Sequence, residues 1–294
     1  MRVQSRASVL FDAPGPRARA RHRALSVATL LVAGLLCWTL YSHLAAKGQL
    51  TAEKWGPFLT ADLWRTYVLP GVVGTLTAAA WAIGLALIVG IGLGVGRLSQ
   101  IATLRLSCAV VVEVFRAIPV LIMMIFAYFT YGMLNLFPPQ QLALAGVVTG
   151  LTLYNAAVIA EIVRAGVNAL PRGQSEAAAA LGLRWHQTMR LVLVPQAVST
   201  MLPVLVSQLV VVLKDTAIGY QITFVEMVRQ GTVVGSQYGN YLAALLVIAA
   251  LMITGNLALS GGAVALDRRL RRARRTALEA GTIEPEGSPG AQVR

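Results

Sequence analysis

Charged side chains inside or beside long apolar stretches are the residues of this sequence whose spacing can do chemistry. Glu113 and Arg116 lie three residues apart, and so do Glu161 and Arg164. On a helix this spacing places both members of a couple on one face, where they can form an ion pair. Because an ionised group costs about 2.5–3.5 kcal/mol at the bilayer centre, such charges mark either an ion pair or a substrate pathway. The ion pair is the simpler interpretation, and contact of Arg116 or Glu161 with a polar substrate is the alternative.

The consecutive residues Lys214, Asp215 and Thr216 form a different pattern at the end of another apolar run. Adjacent residues on a helix diverge by about 100°, so at least one of the two charges needs a partner elsewhere. Glu226 follows the apolar run and is either that partner or a solvated loop residue. These four residues join the candidates for a substrate pathway.

Motifs for enzymatic chemistry are missing from the sequence. The three histidines, His22, His43 and His186, are scattered, and neither an HExxH nor a Gly-x-Ser-x-Gly motif occurs. Neither a GxxxxGK[ST] phosphate-binding loop nor metal-ligand spacing of cysteines is found. The sequence therefore predicts no catalytic residue, no metal site and no ATP site on this chain, with an intramembrane hydrolase as a competing class.

Composition indicates the environment of these residues. Of the 294 residues, 56% are hydrophobic and 13% charged, and the mean hydropathy of +0.68 is typical of an integral membrane protein. The net charge of +13 comes mostly from arginines at the two ends of the chain. Basic flanks on apolar spans favour cytoplasmic retention and contact with anionic lipid over nucleic-acid binding.

Hydropathy predicts six membrane-spanning helices. They cover 25–46, 69–96, 106–134, 141–166, 196–216 and 240–266. We interpret the first as an uncleaved anchor, because its basic leader is long and its apolar run spans a full bilayer. Since the Arg-rich connections alternate with Arg-poor ones, both termini and the segment 171–192 are expected in the cytoplasm.

The second predicted span contains Gly90, Gly92, Gly94 and Gly96. A dinucleotide-binding loop would need a preceding strand in a soluble unit, and the sequence provides none. Small residues four apart instead favour close packing of two membrane helices.

The segment 173–197, "GQSEAAAALGLRWHQTMRLVLVPQA", interrupts the apolar pattern. Its first part favours a helix ended by Gly182, and "LRWHQTMRLVL" favours a second helix before Pro195 opens the next span. An interfacial helix on the membrane and a small-residue surface that docks into another protein explain these properties equally well.

The amino-acid sequence of this segment resembles the "EAA" loop of the membrane subunits of bacterial ATP-binding-cassette (ABC) importers. The matching residues are Gly173, Gln174, Glu176, Ala177, Ala178, Gly182 and Pro195. Further stretches resemble the polar amino-acid branch of that family, namely "PGVVGTLTAA" at 70–79, "VFRAIPVLIMM" at 114–124, "AEIVRAG" at 160–166 and "LKDTAIGYQI" at 213–222. The extra N-terminal span, "LYNAAVIAE" at 153–161 and the basic C-terminal tail resemble glutamate-type permeases of actinobacteria.

This resemblance implies an all-α membrane protein with a type I importer core of five helices at 69–266, preceded by one extra helix at 25–68. Basic cytoplasmic tails are expected at 1–24 and, disordered, at 267–294. The resemblance implies coupling helices at 173–192 that dock on an ABC ATPase dimer, which carries the ATP and magnesium. It further implies an extracytoplasmic substrate-binding protein, a second permease subunit that is a paralogue or a copy of this chain, and residence in the bacterial cytoplasmic membrane.

The implied cargo is a polar amino acid, most specifically glutamate, which carries one ammonium and two carboxylates. Lys214 and Arg116 are candidates to meet the carboxylates, and Asp215 or Glu226 to meet the ammonium. Val158 and Ala217 depart from the family's usual Tyr and Ser. The competing function is a membrane scaffold or sensor that docks a cytoplasmic partner without transport.

Overall fold

The computed structural model describes residues 15–281, with side chains as far as residue 262 and at residue 265. Within this part of the chain the structure is helical and contains no strand, which confirms the predicted all-α class. The outer parts of the two expected tails, residues 1–14 and 282–294, lie outside the described residues.

The chain divides into two compact units, Met1–Leu59 and Thr60–Arg294. The first contains α1 (Pro16–Ala46), α2 (Ala52–Trp55) and a 3-10 turn at Gly56–Leu59. Helix α1 is apolar enough to cross a membrane, as predicted, but it begins nine residues before the expected residue 25. Pro16 suits the first helical turn, and the Arg and Ala residues that follow are good helix formers, so the basic leader is helical.

The second unit holds the remaining helices in chain order. They are α3 (Ala61–Leu63), α4 (Leu69–Gly96), α5 (Ala102–Ala117), α6 (Val120–Met133), α7 (Pro139–Asn168), α8 (Arg172–Ala180), α9 (Trp185–Thr188), α10 (Val194–Asp215), α11 (Met227–Gln237) and α12 (Tyr241–Gly281). Two π-helical turns, Trp64–Val68 and Met189–Leu193, lead into α4 and α10, and a 3-10 turn at Thr216–Ile222 follows α10.

Five helical segments of the described chain are long and apolar enough to span a membrane, or six if a bent pair is one span. The bent pair is α5 and α6, which meet at 99° where the sequence predicted one continuous span at 106–134. The break falls at Ile118 and Pro119. Proline lacks the amide that would continue the helical ladder, and it forces the residue before it into an extended conformation, here with φ −86° and ψ 127° at Ile118.

Close packing of α4 on α7 depends on two glycines. A Cβ on Gly90 would lie 2.8 Å from the carbonyl oxygen of Ala156, and one on Gly94 would lie 2.9 Å from that of Ala160. The predicted packing role is therefore confirmed for Gly90 and Gly94, whereas a Cβ on Gly92 would meet nothing within 4 Å.

Helix α7 also receives α6 and α10 through glycines on other faces. A Cβ on Gly150 would lie 2.5 Å from the side chain of Met124 in α6, and one on Gly166 would lie 2.7 Å from that of Met201 in α10. Since α4, α5, α6 and α10 all contact α7, this helix is the central element against which the functional side chains are positioned.

The expected disordered tail at 267–294 is wrong for residues 267–281, because α12 continues as a helix to Gly281. Arg, Ala and Leu predominate in "RRLRRARRTALEA", and all three have high helix propensity.

Candidate functional site

The segment around Gly182 folds as a short helix, a tight turn and a second helix, as predicted. Helix α8 ends at Ala180 with Leu181 as its C-cap, and Gly182 takes the left-handed conformation with φ +74°. The amide of Gly182 donates to the Ala179 carbonyl, and that of Leu183 donates to the Ala178 carbonyl. This pair of bonds is the Schellman motif, in which glycine satisfies the last carbonyls of a helix.

Helix α8 is anchored by one side chain and exposes most of the others. Ala178 is buried, whereas Glu176 and Ala177 are exposed. The Gln196 side chain at the start of α10 donates to Gln174 Oε1 at 3.1 Å, which ties α8 to the next span. Helix α8 is therefore fixed in place, and its exposed small side chains and the Glu176 carboxylate are available for contact.

The second helix of this unit continues into the next span, which the sequence analysis did not predict. Helix α9 passes through the π-helical turn Met189–Leu193 directly into α10, and the run from Trp185 to Ile222 is 38 residues long. Pro195 lies in the first turn of α10, where the missing amide of proline costs little. The helical run therefore passes through Pro195 without ending there.

Five charged side chains from α4, α5 and α7 form one ionic cluster. Arg97, which follows α4, donates to Glu161 at 2.7 Å and to Glu113 at 3.2 Å. Arg164 donates to Glu161 at 2.5 Å, and Arg116 lies 3.9 Å from Glu161 and 4.0 Å from Glu113. The predicted pairing of Glu161 with Arg164 is confirmed, and the cluster joins three helices instead of forming two isolated couples.

The cluster that contains Arg116 lies at a different level of the helices from Lys214, the other residue predicted to meet a carboxylate. Helices α7 and α10 run antiparallel, since Asn155 contacts Gln208 while Gly166 contacts Met201. Glu161 and Lys214 each lie six residues beyond the Asn155–Gln208 level in opposite directions, a separation of about 18 Å along the axes at 1.5 Å per residue.

Lys214, Asp215 and Thr216 occupy the end of α10 and the start of the following 3-10 turn. Lys214 is exposed and Asp215 half-buried. The buried Thr216 hydroxyl donates to the Leu213 carbonyl at 2.7 Å. Thr216 therefore completes the helix end, and Lys214 is the member of the trio whose charge is open to a ligand.

Glu226 is a buried helix cap, so its interpretation as a solvated loop residue is wrong. Its carboxylate accepts from the amides of Val228 and Arg229 at the start of α11, and its side chain is fully buried. Burial raises the pKa of Glu226 to about 7. The hydrogen bonds from the two backbone amides and the positive charge of Arg229 lower this pKa, but burial has the larger effect. No ion pair joins it to Lys214 in the described residues.

Two features of the site were not predicted from the sequence. Arg97 was assigned to a cytoplasmic connection and not to an ionic cluster. Asn155 and Gln208 were not singled out, although the Gln208 amide donates to Asn155 Oδ1 at 2.7 Å between α7 and α10. The position of Asn155 and Gln208 in the middle of predicted spans was the signal that could have identified this pair. Among the residues described, no group of three or more His, Cys, Asp or Glu is placed to hold a metal ion.

Comparison with known sequences places this geometry in context. Residues 82–272 match the family described as binding-protein-dependent transport system inner membrane component. The chain is 53% identical over 231 residues to the glutamate transport system permease protein GluD of Corynebacterium glutamicum, covering 79% of this chain and 85% of that protein. It is 32% identical over 185 residues to the glutamate/aspartate import permease protein GltK of Escherichia coli, covering 61% and 83%.

Solved structures show the same fold. A crystal structure of an amino acid ABC transporter with histidines matches with a TM-score of 0.62 and 30% identity over 68% of this chain and 92% of that chain. The inward-facing MetNI methionine ABC transporter matches with a TM-score of 0.56 at 23% identity, over 71% and 96%. The predicted importer-type helical core is thereby confirmed.

Proposed function

The chain belongs to the family of binding-protein-dependent transport system inner membrane components, and from that premise we propose that it is the permease subunit of an ABC importer that carries glutamate across the cytoplasmic membrane. The observation that carries the substrate assignment is the 53% identity to a glutamate transport permease over 79% of the chain. Transport needs a passage and a coupling surface rather than a catalytic residue, and the chain offers both.

The coupling surface is the unit of α8, Gly182 and α9. The exposed Glu176 and Ala177 dock on a partner ATPase dimer, which holds the ATP and magnesium. Ala side chains allow close approach of two backbones, and the Schellman turn holds the unit in one shape. Because α9 continues into α10, movement of the docked unit is transmitted to the membrane helices.

The proposed orientation places both termini and residues 171–192 in the cytoplasm, since arginines concentrate in these connections. An extracytoplasmic binding protein delivers the amino acid on the other side, and a second permease, either a paralogue or a copy of this chain, completes the passage. The family description, a binding-protein-dependent transport system inner membrane component, supports the proposal of a binding protein.

Labelling from outside intact cells tests the orientation. In a chain without Cys37 and Cys108, a single cysteine at Ser175 should stay unmodified by an impermeant maleimide, whereas one at Gln140 should react. Both positions are exposed, so access to the reagent decides the result. Strong labelling at Ser175 would contradict the topology and the docking role together.

The proposed passage follows the uncovered face of α10, where Val204, Ser207 and Lys214 are exposed. Lys214 attracts a carboxylate of the cargo, because an ammonium and a carboxylate form a charge-assisted hydrogen bond. Arg116 and Glu161 serve as members of the ionic cluster in this proposal, and not as cargo ligands beside Lys214.

Uptake of radiolabelled glutamate by the reconstituted complex tests the function. Wild-type complex should accumulate glutamate in an ATP-dependent manner, and Lys214→Ala should reduce uptake about 10-fold at a normal level of inserted protein, the loss expected for one charge-assisted bond. Arg23→Ala, at an exposed position of α1 outside the coupling unit and the proposed passage, controls for loss of a positive charge. Normal uptake by Lys214→Ala would contradict the cargo contact, and failure of the wild-type complex to carry glutamate would contradict the function.

A further inference from the structure

A pair of side-chain amides lies in the seam between α7 and α10, midway between the ionic cluster and Lys214. Asn155 is fully buried and Gln208 is half-buried. The Asn155 Nδ2 group donates to the Leu151 carbonyl at 2.8 Å, and Gln208 Nε2 donates to Asn155 Oδ1 at 2.7 Å. Three groups therefore form one directional chain of hydrogen bonds.

This chain fixes which end of the Gln208 amide points outward. A carbonyl only accepts, so Asn155 must present its Nδ2 to Leu151 and its Oδ1 to Gln208. Gln208 must then present its Nε2 to Asn155, which leaves Oε1 on the other side of the planar amide. Within the described residues, no hydrogen bond other than the one to Asn155 is made by the Gln208 side chain.

The outward end of Gln208 borders the uncovered face of α10. Val204, one turn before Gln208 on the same side of the helix, is 48% exposed, and the adjacent Ser207 is exposed. Lys214 lies six residues further along, about 9 Å by helix rise. Six residues also separate the two side chains by about 120° around the axis, so the acceptor oxygen and the positive charge lie at different heights and on different sides of α10.

An unsatisfied hydroxyl lies close to the amide pair. Thr152 is one turn from Asn155 on α7, and its Oγ1 is buried without a hydrogen-bond partner among the described residues. An unmade hydrogen bond at a buried polar atom costs about 1–3 kcal/mol. This part of α7 therefore carries one polar group that the described residues leave without a hydrogen bond.

We propose that Gln208, held in one orientation by the buried Asn155, accepts a hydrogen bond from the α-ammonium of the amino acid as it passes the seam of α7 and α10. An ammonium is all donor and matches a fixed acceptor, whereas a carboxylate would be repelled by it. Gln208 contacts the cargo, and Asn155 is a positioning residue that acts through Gln208. Because Gln208 and Lys214 lie on different sides of α10, they contact the amino acid at successive positions along the passage, Gln208 at its ammonium and Lys214 at a carboxylate. The inference rests on the proposed transport function and adds a second contact to it.

The test uses the double variant Asn155→Leu with Gln208→Leu in the full complex, reconstituted with its ATPase and binding protein. Replacing both partners of a hydrogen bond by apolar groups leaves no buried orphan, so the seam should stay packed. We expect glutamate uptake at saturating binding protein to fall about 10- to 100-fold, because one bond to a charged group is lost. ATP hydrolysis stimulated by the loaded binding protein should stay within about twofold, so the ATP consumed per glutamate should rise.

Thr254→Val is the matched control, because it removes a polar group from the exposed side of another membrane helix and should leave the ratio of ATP to glutamate unchanged. Unchanged uptake in the double variant would show that the amide pair only holds α7 and α10 together, and would overturn the proposal. If the double variant is lost from the membrane, Gln208→Met, which keeps the length of the side chain, decides by the same ratio. Loss of both variants from the membrane would also overturn it, since the pair would then be a structural requirement.

The ammonium is common to all amino acids, which separates this inference from the choice of glutamate. If the wild-type complex carries another amino acid, the glutamate assignment fails and the same variants still test Gln208 with that cargo. A wild-type complex that carries no amino acid would contradict both proposals. A wild-type complex that carries glutamate together with a fully active double variant would contradict this inference alone.

Discussion

Replacement of Gly182 measures how much the shape of the proposed docking unit, which consists of α8, Gly182 and α9, contributes to coupling with the ATPase. A Cβ at this position would meet nothing within 4 Å, and the φ angle is +74°. The cost of a side chain is therefore backbone strain without a steric clash. The left-handed conformation costs an L-residue about 1–2 kcal/mol, less for Asn and more for a β-branched residue. We expect the series Asn, Ala, Val to disrupt the turn in increasing order.

The size of the effect follows from the population of the turn. A cost of about 1–2 kcal/mol lowers the ratio of the formed turn to other conformations by about 5- to 30-fold. The assay is ATP hydrolysis stimulated by glutamate-loaded binding protein in the reconstituted complex. Stimulation should be nearly normal for Gly182→Asn, reduced for Gly182→Ala and abolished for Gly182→Val, while the inserted protein stays at its wild-type level.

Gly84→Ala is the matched control, since a Cβ there also meets nothing within 4 Å but the backbone is helical. It should leave stimulation unchanged and stabilise α4 slightly. Equal stimulation by Gly182→Val and the wild-type complex would refute the reasoning, because the left-handed turn would then be irrelevant to coupling. Equal loss in all three Gly182 variants would also refute it, since strain predicts a graded series.

Further predictions concern the ionic cluster and the buried cap. Glu161→Gln should destabilise the protein by about 1–3 kcal/mol, because it removes the negative charge and one of the two oxygens that accept from Arg97 and Arg164, in a site where these side chains are 12–35% exposed. Glu113→Gln, at a position that is 61% exposed, should cost less than about 0.5 kcal/mol. Thermal unfolding in detergent compares the two variants, and equal shifts would contradict the ranking. The pKa of Glu226 is raised to about 7 from 4.5, so its folded form holds a proton more tightly, and the unfolding free energy should fall as pH rises from about 4.5 to above 7, by up to about 3 kcal/mol. Glu226→Gln should flatten the difference in unfolding temperature between pH 5 and pH 8, and an unchanged pH profile would contradict this assignment.

The sequence predicted those features that depend on local pattern. Apolar length located the spans, glycine spacing located the contacts of Gly90 and Gly94, and the Gly182 turn followed from the left-handed preference of glycine. Each is decided within a few residues of chain. The pairing of Glu161 with Arg164 was predicted for the same reason, because residues three apart on a helix are neighbours whatever the rest of the fold does.

The features that were missed depend on contacts between distant segments. Arg97 joins Glu161 across 64 residues, and Gln208 joins Asn155 across 53. Helix periodicity gives the face on which a residue lies and not the helix that covers it. The 99° bend at Pro119 and the passage of α9 into α10 were missed because a proline can break a helix, kink it or begin one.

Helix α9 of the docking unit and helix α10 of the proposed passage belong to one helical run, which continues through Pro195. Lys214 lies 29 residues after Trp185, which corresponds to about 44 Å of helix at 1.5 Å per residue. Two residues of the π-helical turn, Met189 and Leu193, are buried together with Val167 at the end of α7. A force applied to α8 and α9 therefore acts on a segment that is packed against α7. The amide pair then ties the middle of α10 to α7, and the ionic cluster ties α7 to α4 and α5. We therefore expect a movement of the docking unit to reach α10 first and to pass through the amide pair and the ionic cluster to α7, α4 and α5. Gln208 and Lys214, the two residues proposed to contact the cargo, lie on the helix that this movement reaches first.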